Sequence, residues 1–487
     1  MTVKTKSVIT GSQSVLVKTN NLSCALNLAE DALDKLLSLT ASCHGGECEI
    51  SGSEIIYGGS VNFNAIFKTE ELNRVEVGAK FTFKAPLEDK FDLASAEYSI
   101  SDVRVKNEGG MLYAVCDLIS RLTLSKNIEN AVAVQADCLY KTEKLTVADR
   151  FFAKAETVVD DEFTVRRIKR ALYSDAQAIV TAVKPQDGFV TVDGEVELNV
   201  CLLPFSENSD IVKETRSVPF KFEVDLDASS ENATAFCRAE VVKSGLKIYV
   251  DEDESATVTA SVTVGLEVEC YVANEIDYIS DAYSKTNELD LKRETLEQVC
   301  GVSARFENAR YRGGAVCKVP DYSRLNKTVG EMIAGYSVSA DGEDLIINGQ
   351  VRADALFSDS DDNISSKELV FPFTVSLEGA NDYEVSALAL SDLSVKLKNG
   401  EIECDAAFKI SAYKKETTKA VAVTNISEGE EKSVSESAIA VYLGKKGDTE
   451  WEVIKSLGVG AELIAALNPD IVYPLTGGER IIIYRQK

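Results

Sequence analysis

Apolar and polar residues alternate with a period of two in three stretches of the chain that align with one another without a gap. Each stretch opens with glycine and valine at the first and third positions: GSVNFNAIF from Gly59, GEVELNVCL from Gly194 and GQVRADALF from Gly349. Such alternation is typical of a strand that buries one face, and the leading glycine is typical of a turn. The sequence therefore predicts three equivalent strands, each preceded by a turn at its glycine.

A second set of alternating segments follows the first set, after polar loops. FTFKAPL begins at Phe81, FKFEVDL at Phe220 and FPFTVSL at Phe371. This alignment predicts equivalent core positions for three phenylalanines, namely Phe83, Phe222 and Phe373. Turn sequences further on, DVRVKNEGG and LSVKLKNGE, indicate another hairpin. Each copy is therefore expected to contain four or more antiparallel strands with one buried face.

A segment with helical spacing of apolar residues precedes each copy. In the first, NLAEDALDKLLSL, these residues are Leu28, Ala32, Leu36 and Leu37. In the second, DDEFTVRRIKRAL, they are Phe163, Val165, Ile168 and Leu172. The third segment, YSRLNKTVGEMIAG, shows the spacing more weakly. Recurrence at i, i+3, i+4 and i+7 predicts an amphipathic helix ahead of each set of strands.

The repeat interval is well over one hundred residues, which is too long for the unit of a solenoid. The copies are therefore expected to be whole domains in tandem, at 20–145, 150–287 and 300–425. The predicted fold class is α+β, with three β-rich, antiparallel, sandwich-like repeat domains and a small additional module at the end of the chain. Such repetition is equally compatible with a spacer and with a scaffold whose domains assemble with each other or with partner chains.

Composition and charge limit the classes of partner. The chain has 487 residues, 45% of them hydrophobic and 27% charged, which is ordinary for a folded globular protein. Its formal net charge of −27 repels phosphate backbones and anionic membrane surfaces, so nucleic acid is not expected as a partner. The sequence has no apolar run long enough for membrane insertion and no signal-peptide core near its start. A cytosolic location is the expectation.

Candidate chemistry is sparse along the chain. The eleven cysteines lie mostly in alternating apolar runs, as reduced buried cysteines do. CHGGEC, from Cys43 to Cys48, contains His44, the only histidine, but a zinc site would need a further pair of ligands. We interpret CHGGEC as a glycine turn between a helix and a strand. The acidic DSDDN stretch at Asp359 departs from the calcium-loop pattern and is interpreted as a hairpin tip. No metal, cofactor or catalytic activity is predicted.

The last part of the chain has a different pattern. EGEEKSVSES has no apolar periodicity and predicts a linker at 426–437. AIAVYLGKK then predicts a strand, and Thr449 with Glu452 forms a capping-box pattern that begins a helix. GAELIAALNPD predicts a second short helix and ERIIIYR a closing strand. The inward-facing residues of the first helix are predicted to be Trp451, the only tryptophan, together with Ile454 and Leu457.

GDTEWEVI from Gly447 and LNPDIVYP from Leu467 resemble the LysM domain, which is a small βααβ unit. The resemblance covers 438–487 and implies a shallow groove that in this family holds N-acetylglucosamine chains. Glu450 stands where the family usually has leucine. The groove residues implied here lie on both sides: Asp448, Thr449, Glu450, Asn468, Ile471 and Tyr473. We expect Trp451 to have a structural role in the core of this domain.

Tandem acidic β-rich modules followed by a LysM domain resemble the SipL-type spore coat morphogenetic proteins, which are built from SPOCS domains. The resemblance covers most of the chain and rests on the order of the domains. It implies a non-enzymatic scaffold in the mother-cell cytoplasm, at the forespore surface, that becomes part of the spore coat. It also implies binding of the coat morphogenetic ATPase, a stage IV sporulation protein A-like protein, through the LysM domain, alongside other coat proteins.

Two other classes of function remain open from the sequence. One is a peptidoglycan or N-acetylglucosamine binding protein that uses the repeats as a stalk. The other is an enzyme with a LysM targeting tail, for which the three repeats leave little room. From Ile439 onward the sequence carries six basic and six acidic residues, so this end of the chain is neutral. Recognition by the groove is therefore expected to depend on shape and hydrogen bonds, with weak dependence on salt.

Overall fold

The computed structural model describes residues 2–205, 211–227, 230–250, 255–319, 323–360, 363–432 and 439–484. Most of these residues lie in antiparallel β-strands, which confirms the predicted β-rich character. No helix among the described residues is long and apolar enough to cross a membrane.

Within the described part of the chain, eighteen strands form three successive groups of six. The first group comprises β1 (Val3–Ala29), β2 (Leu36–Ser51), β3 (Glu54–Lys68), β4 (Leu72–Pro86), β5 (Leu93–Glu108) and β6 (Met111–Ala136). The second group comprises β7 (Leu139–Arg166), β8 (Ile168–Gln186), β9 (Phe189–Pro204), β10 (Val212–Asp225), β11 (Thr234–Val250) and β12 (Ser255–Tyr283). The third group comprises β13 (Asn287–Gly314), β14 (Arg324–Asp341), β15 (Asp344–Ser358), β16 (Ile364–Leu377), β17 (Glu384–Lys398) and β18 (Glu401–Glu431).

The three groups share one sheet topology. In each, the second, third and fourth strands form a three-stranded meander, with orders β2-β3-β4, β8-β9-β10 and β14-β15-β16. The first, sixth and fifth strands form the other sheet, with orders β1-β6-β5, β7-β12-β11 and β13-β18-β17. Apolar side chains of both sheets meet in a buried core within each group, as in a sandwich.

The three aligned glycines lie in the middle strands of the meanders, not in turns ahead of them. Gly59 pairs with Phe81, Gly194 with Phe220 and Gly349 with Phe373. A phenylalanine ring covers each glycine. A Cβ on Gly194 or Gly349 would collide with that ring, and a Cβ on Gly59 would collide with the His44 carbonyl oxygen at 2.3 Å. The three strands were therefore predicted correctly, but the glycines serve close packing instead of a turn.

The expected equivalence of Phe83, Phe222 and Phe373 is wrong in the third group. Phe373 faces its glycine, whereas Phe83 pairs with Tyr57 and Phe222 with Val192. Three residues separate β3 from β4, but five separate β15 from β16. The two extra loop residues shift the pairing of β16 with β15 by two residues relative to the pairing of β4 with β3. A shift of two keeps every side chain on its original face, so the alternating pattern could not reveal it.

The helices predicted ahead of the repeats are absent from the described residues, apart from a short 3₁₀ helix at Glu30–Lys35. The second segment is split between β7 and β8 at Arg167, which has a φ of 59°. The third lies in β14 from Arg324 onward, and its first residue is outside the described residues. Two alternating runs joined by one left-handed residue place apolar side chains three and four positions apart, which imitates the spacing of a helix.

The CHGGEC segment lies inside β2, so its interpretation as a turn between a helix and a strand is wrong. The pairing of β2 with β3 shifts between Gly45 and Cys48, which marks a bulge. A Cβ on Gly46 would lie 2.9 Å from the Gly58 carbonyl oxygen, so the glycine allows the two strands to approach. His44 is buried, and burial lowers its pKa.

The boundaries of the groups also differ from the predicted ones. The first long strand of each group begins before the predicted start at 20, 150 or 300. In the predicted linker at 426–437, the residues up to Glu431 extend β18, while 433–437 lie outside the described residues. Glu428 and Glu431 pair with β13 through their backbones, so a polar, exposed sequence was mistaken for a linker.

The long strands continue past their short neighbours as two-stranded ribbons, at 3–12 with 126–136, 139–149 with 272–283, and 287–303 with 414–431. We call the three ribbons together the stem. Apolar residues from all three meet in two buried clusters. One cluster contains Val8, Val132, Leu145, Ile276, Tyr278, Leu296 and Ala422. A lone two-stranded ribbon is marginally stable in water, so each ribbon depends on the other two.

A third shared cluster joins the meanders. Ile66, Cys201 and Leu356 hold the eighth position of the three aligned stretches, and all three are buried in this cluster. The Lys213 ammonium lies 2.7 Å from the Glu331 carboxylate across the second and third groups, and both side chains are almost fully buried. The three groups therefore pack directly on one another.

All eleven cysteines are free thiols. Burial raises the pKa of the Cys201 thiol to about 12 and that of Cys116 to about 11. Since the thiolate is the reactive form, these two side chains act as small apolar groups at neutral pH.

Gly194→Ala should destabilise the protein. The added Cβ would lie 2.3 Å from Cζ of Phe220 and 2.7 Å from the Ile179 carbonyl oxygen, so the two neighbouring strands must move apart. We expect a loss of about 1–3 kcal/mol in the free energy of unfolding, measured by urea denaturation.

Gly245→Ala is the matched control, because its nearest neighbour would be the Ser261 carbonyl oxygen at 4.0 Å. This variant should unfold close to the wild-type midpoint. Equal midpoints for the two variants would contradict the proposed close packing at Gly194.

Candidate functional site

The described end of the chain forms a strand, two helices and a strand, in the order predicted from the sequence. We call this part the C-terminal module: β19 (Ile439–Leu443), α1 (Glu450–Leu457), α2 (Ala461–Leu467) and β20 (Arg480–Tyr484). β19 and β20 pair antiparallel. The core of the module contains Val453, Ile454, Leu457, Val459, Ile464, Leu475, Ile481 and Ile483.

Local sequence explains both ends of α1. The Thr449 hydroxyl accepts a hydrogen bond from the Glu452 amide, and the Glu452 carboxylate accepts one from the Thr449 amide at 2.7 Å, which completes the capping box. Gly458 ends the helix in the left-handed conformation, with a φ of 67°. The predicted start and end of α1 are confirmed.

Three of the six groove residues already make side-chain contacts within the module: Thr449 caps α1, and Asp448 and Asn468 bind neighbouring segments. Asp448 Oδ2 accepts hydrogen bonds from the Tyr442 hydroxyl at 2.6 Å and from the Lys445 amide at 2.8 Å. The bond from Tyr442, followed by that from Lys445, lowers the pKa of Asp448. The Asn468 side chain donates to the Ile482 carbonyl and accepts from the Ile482 amide, both at 2.9 Å, so it fastens the loop after α2 to β20.

The remaining accessible chemistry of the groove lies around Glu450 and Tyr473. The Leu475 amide donates to the Asp448 carbonyl oxygen, and the Gly447 amide donates to the Leu475 carbonyl oxygen, so the loop before α1 is held against the loop after α2. Tyr473 is half-buried, with part of its ring exposed, but its hydroxyl oxygen is shielded from solvent and has no hydrogen-bond partner in the described part of the chain. Burial, followed by the nearby charge of Glu450, raises the pKa of Tyr473. Glu450 is exposed, and Ile471 is half-buried at the edge of the core.

Trp451 makes contacts that the sequence did not predict. Its ring packs at the edge of the module core, as expected, but it is only half-buried. Its Nε1–H donates a hydrogen bond of 2.8 Å to Asp281 of β12. Its ring also meets the Tyr283 ring edge to face, with centroids 5.4 Å apart. The tryptophan therefore joins the module to the end of the stem as well as packing within the module.

Asp281 is the centre of this junction. Its carboxylate also accepts from Lys455 Nζ at 2.5 Å and from an Arg293 guanidinium nitrogen at 2.7 Å. Burial disfavours the charged form, but the hydrogen bonds from Lys455 and Trp451 outweigh it, so the pKa of Asp281 lies below its usual value. The Tyr283 hydroxyl donates to the Val459 carbonyl oxygen, which adds a second link to the module.

Sequence reasoning missed Asp281 and Tyr283 because they lie far from the module along the chain, in what reads as one more alternating strand. The only available signal was the indole N–H itself, which usually finds a hydrogen-bond partner when buried. No metal site is found in the CHGGEC stretch or in the described part of DSDDN, of which residues 361 and 362 lie outside the described residues. Among the described residues, no three histidine, cysteine or acidic side chains are arranged to hold a metal. Asp359 instead accepts hydrogen bonds from the Asn363 backbone amide and side chain, within the loop between β15 and β16.

Asp281→Ala should loosen the module from the stem. The change removes the shared acceptor of Trp451, Lys455 and Arg293, and Trp451 is the only tryptophan, so its fluorescence reports this junction alone. We expect a red-shifted emission and stronger quenching by acrylamide. Asp277→Ala, an exposed aspartate on the same strand, should leave both unchanged.

The same readout should depend on pH in one direction. A carboxylate whose pKa is lowered in the folded state stabilises the junction above its ordinary pKa of about 3.9, and this stabilisation is lost as the pH falls through the lowered value. Wild-type emission should therefore stay constant from neutral pH down to roughly 4. A change between pH 7 and pH 5 would contradict the assignment to Asp281.

Comparison with known proteins adds no relative: the chain matches no model of a protein family, no curated protein and no solved structure.

Proposed function

We propose that the protein is a non-enzymatic scaffold of the spore envelope. The three strand groups are homologous SPOCS-like repeat domains, and the C-terminal module is a LysM domain. The LysM domain binds a coat basement-layer ATPase of the stage IV sporulation protein A type, and the repeats support encasement of the forespore by other coat proteins. The protein then acts in the mother-cell cytoplasm, at the forespore surface.

The shared topology of the strand groups supports the assignment of repeats. Six strands recur three times with the same two sheet orders, and the eighth position of the aligned stretch contributes to one common cluster in all three groups. Independent domains of different origin would have no reason to place equivalent residues at one contact. Three copies that pack on one another form a single unit, which suits a scaffold better than a flexible spacer.

The observation that carries the proposal is the attachment of the module to the stem. Asp281 and Tyr283 hold α1 through Trp451, Lys455 and the backbone of Val459. These contacts use the side of α1 that bears Trp451, while Glu450 remains exposed beside Tyr473. A binding surface presented in a fixed position by a large unit is what a tether between two layers requires.

A second candidate function is binding of N-acetylglucosamine chains by the same groove. The half-exposed Tyr473 ring can stack on a sugar, although its hydroxyl is shielded from solvent. The side chains of Asp448 and Asn468 already make hydrogen bonds within the module. Fewer polar groups are therefore left for a glycan, and protein recognition is the stronger candidate.

Glu450→Lys in the full chain should weaken binding to the purified coat ATPase at least tenfold, measured by biolayer interferometry. The residue is exposed in the first turn of α1, so its replacement reverses a charge within the groove at a small cost to the helix, about 0.3–1 kcal/mol. The emission of Trp451 should stay at the wild-type wavelength, which shows that the module remains docked.

Glu462→Lys is the matched control, since Glu462 is exposed in the first turn of α2 and the charge change is the same. Its affinity should equal that of the wild type. Equal losses in the two variants would mean that net charge, not the groove, governs binding. If the wild-type chain binds chitotetraose in calorimetry but not the ATPase, the glycan function replaces the proposed one.

A further inference from the structure

The ribbon of the C-terminal module has one face that nothing in the described chain covers. Side chains at alternate positions of β19 and β20 point inward, where Ala440, Tyr442, Ile481 and Ile483 pack against the core of the module. The intervening side chains point outward. Ile439, Val441 and Leu443 are 53–63% exposed on β19, and Tyr484 is 55% exposed on β20.

These outward residues form one continuous patch. The register pairs Ile439 with Tyr484, Val441 with Ile482, and Leu443 with Arg480, so the side chains stand directly opposite one another. We call the patch the ribbon face. It contains five large apolar residues, one arginine and no acidic side chain.

The size of the ribbon face is that of an interaction site. Five large residues exposed by one third to two thirds amount to roughly 400–500 Å², within the range of the largest apolar patches on soluble monomers, about 300–600 Å². Two such faces packed together would bury roughly 800–1,000 Å² in total. That is near the lower limit for a specific protein interface.

Charge and symmetry indicate which partner fits. The chain carries a net charge of −27, whereas the sequence from Ile439 onward is neutral, so two copies repel each other least where these ends meet. A flat apolar face without acidic groups offers little to a strongly charged partner. It is, however, complementary to itself, which is the requirement for a two-fold symmetric contact.

We propose that the ribbon face joins two copies of this chain into a dimer. The two ribbons pack face to face, as the sheets of a sandwich do, with Val441 and Ile482 of each copy at the centre. The Trp451 junction and the groove around Glu450 involve other parts of the module. In the dimer, each module therefore remains attached to its own stem, and both grooves remain open to a partner. The proposal goes beyond the scaffold function and concerns the protein without any partner.

Sedimentation equilibrium of the full-length protein tests the proposal. From 1 to 100 µM, the wild-type mass should rise from that of the 52.9 kDa monomer towards twice that value. The double variant Val441→Glu, Leu443→Glu places one negative charge at the centre of the contact and a second at its end, and its dissociation constant should be at least one hundred times larger.

Val158→Glu is the control, because Val158 is a valine of β7 with a similar exposure of 58%. It should dimerise like the wild type, and the emission of Trp451 should show that the module is intact in all three proteins. A wild-type chain that stays monomeric at 100 µM, or a double variant that dimerises as well as the wild type, would overturn the proposal. Neither measurement uses the ATPase, so failure here is separate from failure of the proposed function.

Discussion

The three strand groups are held together by apolar residues that they bury between them, and the stability of the long ribbons requires this burial. Each group has its own sandwich core, but its two longest strands continue as a ribbon that cannot bury its apolar side chains alone. Val8, Leu145 and Leu296 come from three ribbons and share one cluster. Because burial of this kind contributes roughly 25 cal/mol per Å², the ribbons gain stability only when all three are assembled.

The junction with the C-terminal module follows from this assembly. Asp281 and Tyr283 lie at the last residues of β12, the far end of the second ribbon, and Arg293 reaches Asp281 from the third. Packing of the second and third ribbons therefore adds a contact from Arg293 to the carboxylate that accepts from Trp451. Since a module of this size has a small core, contacts outside it matter for how firmly the module is held.

Charge is arranged to permit the same packing in a strongly acidic chain. At two contacts between groups, lysine accompanies the acidic residues: Lys213 faces Glu331, and Lys409 faces Glu195 and Glu197. Burial nevertheless raises the pKa of Glu331, although Lys213 acts in the opposite direction. A buried pair of this kind adds little net stability, but removal of either partner would leave an uncompensated charge inside the protein. The apolar clusters thus hold the groups together, and the ion pairs compensate charges that would otherwise be buried without a partner.

Strands and helix ends could be predicted wherever they depend only on residues that are neighbours along the chain. Alternation around Gly59, Gly194 and Gly349 located three central strands, and Thr449, Glu452 and Gly458 fixed the ends of α1. The same patterns failed where the outcome depended on distant residues. One left-handed residue at Arg167 made two strands resemble a helix, and two extra loop residues displaced Phe373 without changing its face. Tertiary structure alone decided that Trp451 meets Asp281, because residues so far apart are brought together only by the packing of the ribbons, which no periodicity records.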